Sequence, residues 1–345
     1  MGGSGSKQYG ASTKAADVAA DVDLRGKNVY ITGANTGIGF ETARVLVTRG
    51  ANVIVACRDK ARGQEAVERI KQDVGTCKDA GTVSLALLDL NSFASVRAAA
   101  AEFVATGRPL HCLINRARSS ATASSLDVAF RKRLFACARV HVHTARFLHP
   151  HPSSDAGIMA LPKFETTADG IEKQWGVNHV GHQLLTSLLI EPLRAGAPSR
   201  VVCVASIAHK NAHAPFMEAL PPTAGKYSEW ANYGDSKLSN ILFARELNRR
   251  ESGKGVTAYS LHPGVINTEL ARNNWQASFF YSVGQIFMKS IPQGAATTVF
   301  CAISDAAKPG EYHSDCQPAA PRSEGTSDEI AKRLWELTEQ TINSK

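Results

Sequence analysis

The sequence predicts an α/β fold, a doubly wound parallel sheet in a single domain, and three observations carry that expectation. Short apolar runs alternate with helical spacing from about residue 28 to residue 115. The same alternation returns between residues 200 and 261. The first apolar run ends in a glycine-rich turn, Thr32-Gly-Ala-Asn-Thr-Gly-Ile-Gly39, that opens a helical pattern. Strand and helix patterns in strict alternation bury a parallel sheet between two helical layers. At 345 residues the chain can bury a substantial core.

The elements follow in order. The run Val29-Tyr-Ile-Thr32 is a first strand, and Gly37 and Gly39 open a helix through Arg49. Asn52–Cys57 is a second buried strand, Ala61–Gln72 a helix, Thr82–Leu90 a third strand, Phe93–Val104 a helix and Leu110–Asn115 a fourth strand. Thr167–Leu193 carries a long helical pattern, Arg200–Ser206 is a fifth strand, Tyr233–Arg250 a helix, Val256–Leu261 a sixth strand and Asp328–Thr341 an amphipathic helix. Residues 1–23, rich in Gly, Ser, Ala and Asp, read as a flexible leader, so the domain spans 24–345. Within it, residues 116–155 are Arg, Ala, Ser and His without sustained periodicity and read as a disordered insertion.

Charge and cysteine usage bound the function. The net charge of +8 is concentrated: seven Lys or Arg against two Asp fall between Arg116 and Asp155. No basic helix interleaved with aromatics stands out, so a nucleic-acid partner is not expected. No apolar run reaches the ~18–20 residues that span a bilayer. Seven cysteines without Cys-x-x-Cys spacing read as reduced thiols in a cytosol-like compartment. The opening Met1-Gly2 to Ser6 matches a myristoylation pattern, which would give reversible peripheral contact with a membrane surface. His141, His143, His149 and His151 form two His-x-His pairs, but without Cys or Glu partners no metal site is expected.

Several residues carry chemistry. The N–H groups at a helix start are unpaired and partly positive, and glycines let a phosphate approach them, so Gly33, Asn35, Thr36, Gly37, Ile38 and Gly39 read as a phosphate cradle. Arg58, just after the second strand, suits a ribose 2′-phosphate where an acidic residue would suit a 2′-hydroxyl. Asp89 lies at the ligand edge of the third strand, where it either accepts from an adenine amino group or caps a helix. Tyr233 and Lys237 share one helix face, and a nearby ammonium favours phenolate, bringing the Tyr into range as a general acid or base. Ser206 at a strand end could bond a substrate oxygen or cap a turn, and Asn178 in mid-helix asks for a hydrogen-bonding role.

Together Thr32–Gly39, Leu88-Asp89-Leu90, Asn178, Ser206, Tyr233-Gly-Asp-Ser-Lys237 and Pro263-Gly-Val-Ile-Asn-Thr268 resemble the short-chain dehydrogenase/reductase family, a Rossmann fold. Ala56–Asp59, Trp175–His182, Ser236–Asn240 and Lys332–Leu337 resemble its retinol dehydrogenase and WW-domain oxidoreductase group, and related plant proteins linked to the chloroplast inner envelope. The resemblance implies hydride transfer between NADP(H), in preference to NAD(H), and a lipophilic alcohol or its carbonyl. Tyr233 would exchange the proton, Lys237 would lower its pKa and hold the nicotinamide ribose, Ser206 would orient the substrate oxygen, and Asn178 would fix a relay water. Gly33, Gly37 and Gly39 would hold the pyrophosphate, Arg58 the 2′-phosphate, and Asp89 with Leu90 the adenine. Pro263, Gly264, Val265 and Thr268 would clamp the nicotinamide, and the aromatic segment 275–287 would be either a substrate lid or a buried helix of the core edge.

The resemblance breaks at one place. Family members carry Asn-Asn-Ala-Gly after the fourth strand, a turn that lines the ribose; here Asn115 and Ala156-Gly157 are separated by the insertion. An abrupt block inside an intact motif reads as translated intervening sequence. If it loops out, Asn115 and Gly157 approach their places with Asp155 where an Asn belongs, and that carboxylate would weaken cofactor binding. The alternative reading is a cofactor-binding interaction protein with little turnover.

Overall fold

The computed structural model describes residues 9–116, 158–266 and 289–345. Eight strands form one sheet in the order β3-β2-β1-β4-β5-β6-β7-β8. They are β1 Asn28–Thr32, β2 Asn52–Cys57, β3 Val83–Leu87, β4 Cys112–Asn115, β5 Ser199–Val204, β6 Val256–His262, β7 Tyr312–Ser314 and β8 Gln317–Pro318. All pairings are parallel except the closing β7–β8 pair. β1 is buried along its whole length, as its continuous apolar run requires of a strand covered on both faces.

Helices cover both faces: α1 Ala15–Ala19, α2 Gly37–Thr48, α3 Lys60–Val74 and α4 Phe93–Ala105. Then come α5 Lys173–Trp175, α6 Gly181–Leu188, α7 Ile190–Ala195, α8 Glu229–Glu251, α9 Ile291–Ile303 and α10 Asp328–Asn343. Two apolar cores result, one on each side of the sheet. Tyr30, Leu113 and Val201 face the first, with Trp175, Leu238 and Trp335. Ile31, Ile114 and Val202 face the second, with Leu46, Val299 and Phe300. The alternation along β1, β4 and β5 is that of successive side chains pointing to opposite faces.

The strand order places the ligand edge. The chain winds outward from β1 through β2 to β3, then crosses to β4 on the other side of β1. A reversal of this kind leaves a crevice at the C-terminal ends of β1 and β4, where ligands of open α/β sheets bind. The register brings Thr32, Asn115 and Cys203 to that edge: Ile31 pairs with Ile114, and Asn115 with Cys203.

Three features differ from the sequence expectation. Residues 9–23 of the supposed flexible leader are folded: Ala15, Val18 and Ala19 of α1 are buried, α1 packs on α9, and the Tyr9 ring meets Phe300 edge-on at 6.0 Å. Small residues that suggest flexibility are also the ones that let a short helix sit close to a neighbour. The long pattern Thr167–Leu193 is broken, with a π-helical turn at Gly176–Val180 between α5 and α6. α9 and the β7–β8 pair were not anticipated, although Ser290 and Gln293 make a reciprocal capping box at the start of α9. The segments 1–8, 117–157 and 267–288 lie outside the described residues; with them go the myristoylation pattern, the His-x-His pairs, Asp155, Gly157, Thr268 and the aromatic segment 275–287.

Candidate active site

The glycine turn leaves β1 and enters α2. Gly33 and Gly37 have φ of 62° and 59°, a left-handed backbone that residues with a Cβ seldom adopt. Thr36 is the N-cap of α2 but its side chain makes no cap bond, so the first N–H groups of the helix are not satisfied from there. A Cβ added at Gly37 would meet nothing within 4 Å, so the space before it is open, whereas one at Gly39 would lie 2.6 Å from the Gly33 carbonyl oxygen. Gly39 therefore serves close packing of helix on strand, and Gly37 serves access. Uncapped donors, partial positive charge and open space fit a phosphate of a dinucleotide.

Across the crevice, β5 ends at Val204 and α8 runs beneath its end. Tyr233 and Lys237, 4% and 3% exposed, lie one turn apart on α8. The Ser206 side chain lies near enough to the Tyr233 hydroxyl to favour its ionised form. Ser206 Oγ accepts from Ala208 N at 3.2 Å, which is the cap reading of this residue. Lys237 Nζ donates to the Val204 carbonyl at 3.4 Å and lies 5.5 Å from the Tyr233 ring centre.

Burial resets both titrating groups. It pushes the Tyr233 phenol up to about 12, against the opposing effects of Ser206 and the Arg116 charge. Burial and then Arg116 bring Lys237 down to about 7. Desolvation penalises whichever form is charged, so the chain's own groups favour a neutral phenol and a half-charged amine. Lys237 is not among the groups that move Tyr233; burial dominates, and the opposing effects come from Ser206 and Arg116.

Asn178 lies fully buried within the π turn, a widened helical geometry that recurs at functional sites. Its amide clamps the backbone of Ile158, accepting from Ile158 N at 3.2 Å and donating to Ile158 O at 2.9 Å. It also donates to Ser236 Oγ at 3.1 Å, and Ser236 Oγ donates to Tyr233 O at 2.7 Å. The Asn178 side chain thus ties the strip after the insertion to the helix bearing Tyr233.

The remaining expected residues fall along the same edge. Arg58 is half-buried after β2, ahead of Asp59, which caps α3 by accepting from Arg62 N at 3.0 Å. Asp89 accepts from Asn91 N at 2.9 Å, while Ser92 caps α4, so Asp89 shapes the turn after β3 and does not cap the helix. The Leu90 side chain is in the core, and its carbonyl oxygen would lie 3.0 Å from a Cβ on Gly181. Asn115 donates to Thr186 Oγ1 at 2.8 Å, which anchors the end of β4 to α6. Pro263 and Gly264 are half-exposed and Val265 is exposed, with the Val265 carbonyl accepting from Lys289 N at 2.8 Å.

Two residues were missed by sequence reasoning. His182 stands between the glycine turn and Asn178: its Nδ1 donates to the Asn178 carbonyl at 3.0 Å and its Nε2 lies 2.9 Å from Thr32 Oγ1. Burial brings it down to about 4, so it is neutral near pH 7 and accepts from the Thr32 hydroxyl. The other is Arg116, assigned to the insertion. It is 7% exposed, its N–H donates to Thr32 Oγ1 at 2.8 Å, and its guanidinium Nη1 donates to Gly33 O at 2.6 Å. The first residue of the insertion is therefore held against the end of β1, whereas Asp155 lies outside the described residues.

With the geometry described, comparison with known proteins is informative. A sequence model of the short chain dehydrogenase family matches residues 27–142. Retinol dehydrogenase 12 of Homo sapiens is 38% identical over 320 residues, covering 92% of this chain and 87% of that protein. The human WW domain-containing oxidoreductase is 35% identical, covering 98% of this chain and 73% of that protein. Among solved structures, an uncharacterized protein from Mycobacterium Paratuberculosis superposes with a TM-score of 0.66 at 31% identity, covering 94% of this chain and 97% of that one. L-sorbose reductase from Gluconobacter frateurii, solved with NADPH and L-sorbose, shares the fold at TM-score 0.54 and 18% identity, covering 82% and 92%. The chain belongs to the short-chain dehydrogenase/reductase family, a class of oxidoreductases that bind nicotinamide cofactors. Within it the chain is similar to the retinol dehydrogenases and the WW domain-containing oxidoreductases.

Proposed function

We propose that the chain is an NADP(H)-dependent oxidoreductase interconverting a lipophilic alcohol and its aldehyde or ketone, with Tyr233 as the proton-transfer residue. The observation that carries the reading is the buried Tyr233 with the buried Lys237 one turn away, its Nζ 5.5 Å from the ring centre, and Ser206 beside the phenol at the end of β5. Retinol in the names of the similar dehydrogenases supplies the lipophilic class, and Arg58 after β2, with NADPH bound in the L-sorbose reductase of the same fold, supports the 2′-phosphate. A dinucleotide would lie along the edge from Arg58 and Asp89, over Gly33, Gly37 and Gly39, toward Lys237. Bound there, it supplies or accepts the hydride.

The chain's own residues handle the proton. In reduction the neutral Tyr233 hydroxyl gives its proton to the carbonyl oxygen as the carbonyl carbon gains the hydride, and Ser206 keeps that oxygen within reach. Lys237 replaces charge near the resulting phenolate, and its value near 7 places its own proton within range of exchange at neutral pH. Among the described residues no helix is long and apolar enough to cross a membrane. The test is oxidation of NADPH, beside NADH, with a panel of lipophilic aldehydes and ketones that includes retinoids. Turnover that Tyr233→Phe abolishes supports the reading; turnover unchanged by it refutes the mechanism. Cofactor binding without turnover on any member would favour the interaction-protein alternative, for which Arg116 in the crevice speaks.

A further inference from the structure

The ends of β1 and β4 should be separated by an open crevice, yet one side chain spans it. Arg116 continues β4, and its guanidinium reaches back to the first carbonyl of the glycine turn, Gly33 O, at 2.6 Å. The same Nη1 lies 3.1 Å from the point where a Cβ on Gly39 would stand. Its backbone is fixed on Thr32, the N–H donating to Thr32 Oγ1 at 2.8 Å. The bridge is therefore anchored at both ends. The space before Gly37, by contrast, is open.

These two facts divide the edge. A phosphate and the adenosine half of a dinucleotide need only the β2 and β3 ends and the open face at Gly37. The nicotinamide half has to pass the end of β4 to reach Tyr233 and Lys237, and there it meets the guanidinium. We infer that Arg116 is a latch across the switch-point crevice, which the nicotinamide half of the cofactor must displace from Gly33 before it can bind. This rests on the dinucleotide reading. A positive charge so close to the phosphate cradle also attracts an anion, which opposes the latch. The guanidinium cannot both hold Gly33 O and clear the crevice, however, so the held state excludes the nicotinamide half whatever its attraction for the other.

The latch lowers apparent affinity by the fraction of molecules in which it is open. For one charged hydrogen bond to a carbonyl that factor is about tenfold. The experiment is fluorescence titration of the full chain and of Arg116→Asn and Arg116→Gln with NADPH and, separately, with adenosine 2′,5′-bisphosphate. Either folded variant should bind NADPH about tenfold tighter while the bisphosphate affinity stays within about twofold. Unchanged or weaker NADPH binding overturns the latch and makes Arg116 a bystander or a phosphate partner; equal tightening of both ligands overturns its restriction to the nicotinamide half. Stopped-flow binding to the unmodified chain tests it without any variant. An observed rate that levels off with NADPH concentration marks an opening step, and a rate that rises linearly throughout overturns it. Failure of NADPH to bind the chain and both variants removes the dinucleotide reading itself, and the latch with it, whereas binding of the bisphosphate and NADPH without the predicted pattern removes only the latch.

Discussion

On the β1 side of the crevice the polar groups are backbone N–H donors at the start of α2, whereas on the β5 side they are side chains, Ser206, Tyr233 and Lys237, and burial has reset the proton affinities of the last two. The first half is specified within eight residues of sequence; the second is brought together from β5 and α8. A backbone cradle fails when its geometry is disturbed and is indifferent to pH. A side-chain site fails when one atom is removed and carries a pH dependence in its own stability. Function asks the second half to hold a buried amine that folding alone would disfavour.

Breaking the comparison at its most sensitive point gives the largest expected effect. Tyr233→Phe removes one oxygen and should lower turnover by about 10³-fold, with NADPH affinity close to that of the parent, measured by steady-state rates and titration. Equal losses in rate and binding would show that the hydroxyl holds the cofactor and not the proton. Gly39→Ala attacks the other half. Its Cβ would stand 2.6 Å from Gly33 O and 2.9 Å from Ala34 Cα, so the turn must shift at a cost of about 2 kcal/mol in urea unfolding, and NADPH binding should weaken.

Lys237→Met should abolish turnover while raising the melting temperature. Lys237 ordinarily titrates near 10.5 and is held at about 7 when folded, so between those values the unfolded chain binds more protons. The parent's stability therefore rises with pH across that window, and the variant should lose that part of the slope. The smallest effect concerns Glu172, away from the crevice. It accepts from Gln174 N at 3.0 Å and Trp175 N at 2.8 Å, yet burial pushes it up to about 7 from 4.5. Here the folded chain binds more protons, so stability falls as pH rises from 4.5 to 7, and Glu172→Gln should flatten that fall in thermal melts.

How much of this was legible follows from the range of the interactions. The six strands of the parallel winding show as short apolar runs, because burial on both faces demands such runs. Tyr233 and Lys237 share a helix face by spacing alone. α9 was readable from Ser290, Pro292 and Gln293 and was overlooked, whereas β7 and β8, three and two residues long, offer too little pattern to detect. The folding of Ala15–Ala19 depends on α9, nearly the whole chain away. The π turn at Asn178 likewise reads as plain helix, since one extra residue in a turn leaves the apolar spacing almost intact.

The sequence by itself determined the glycine turn, the winding of the sheet and the placing of Tyr233 and Lys237 on one helix face, because each is written in residues within a few positions of one another. Only the tertiary structure decided three other things: that Arg116 lies across the crevice on Gly33, that His182 joins Thr32 to the Asn178 carbonyl, and that Tyr233 and Lys237 are both pushed toward neutrality. The physical reason is common to all three. Contacts between residues 83 and 150 positions apart leave no local periodicity, and desolvation belongs to the surroundings of a group and not to the group itself.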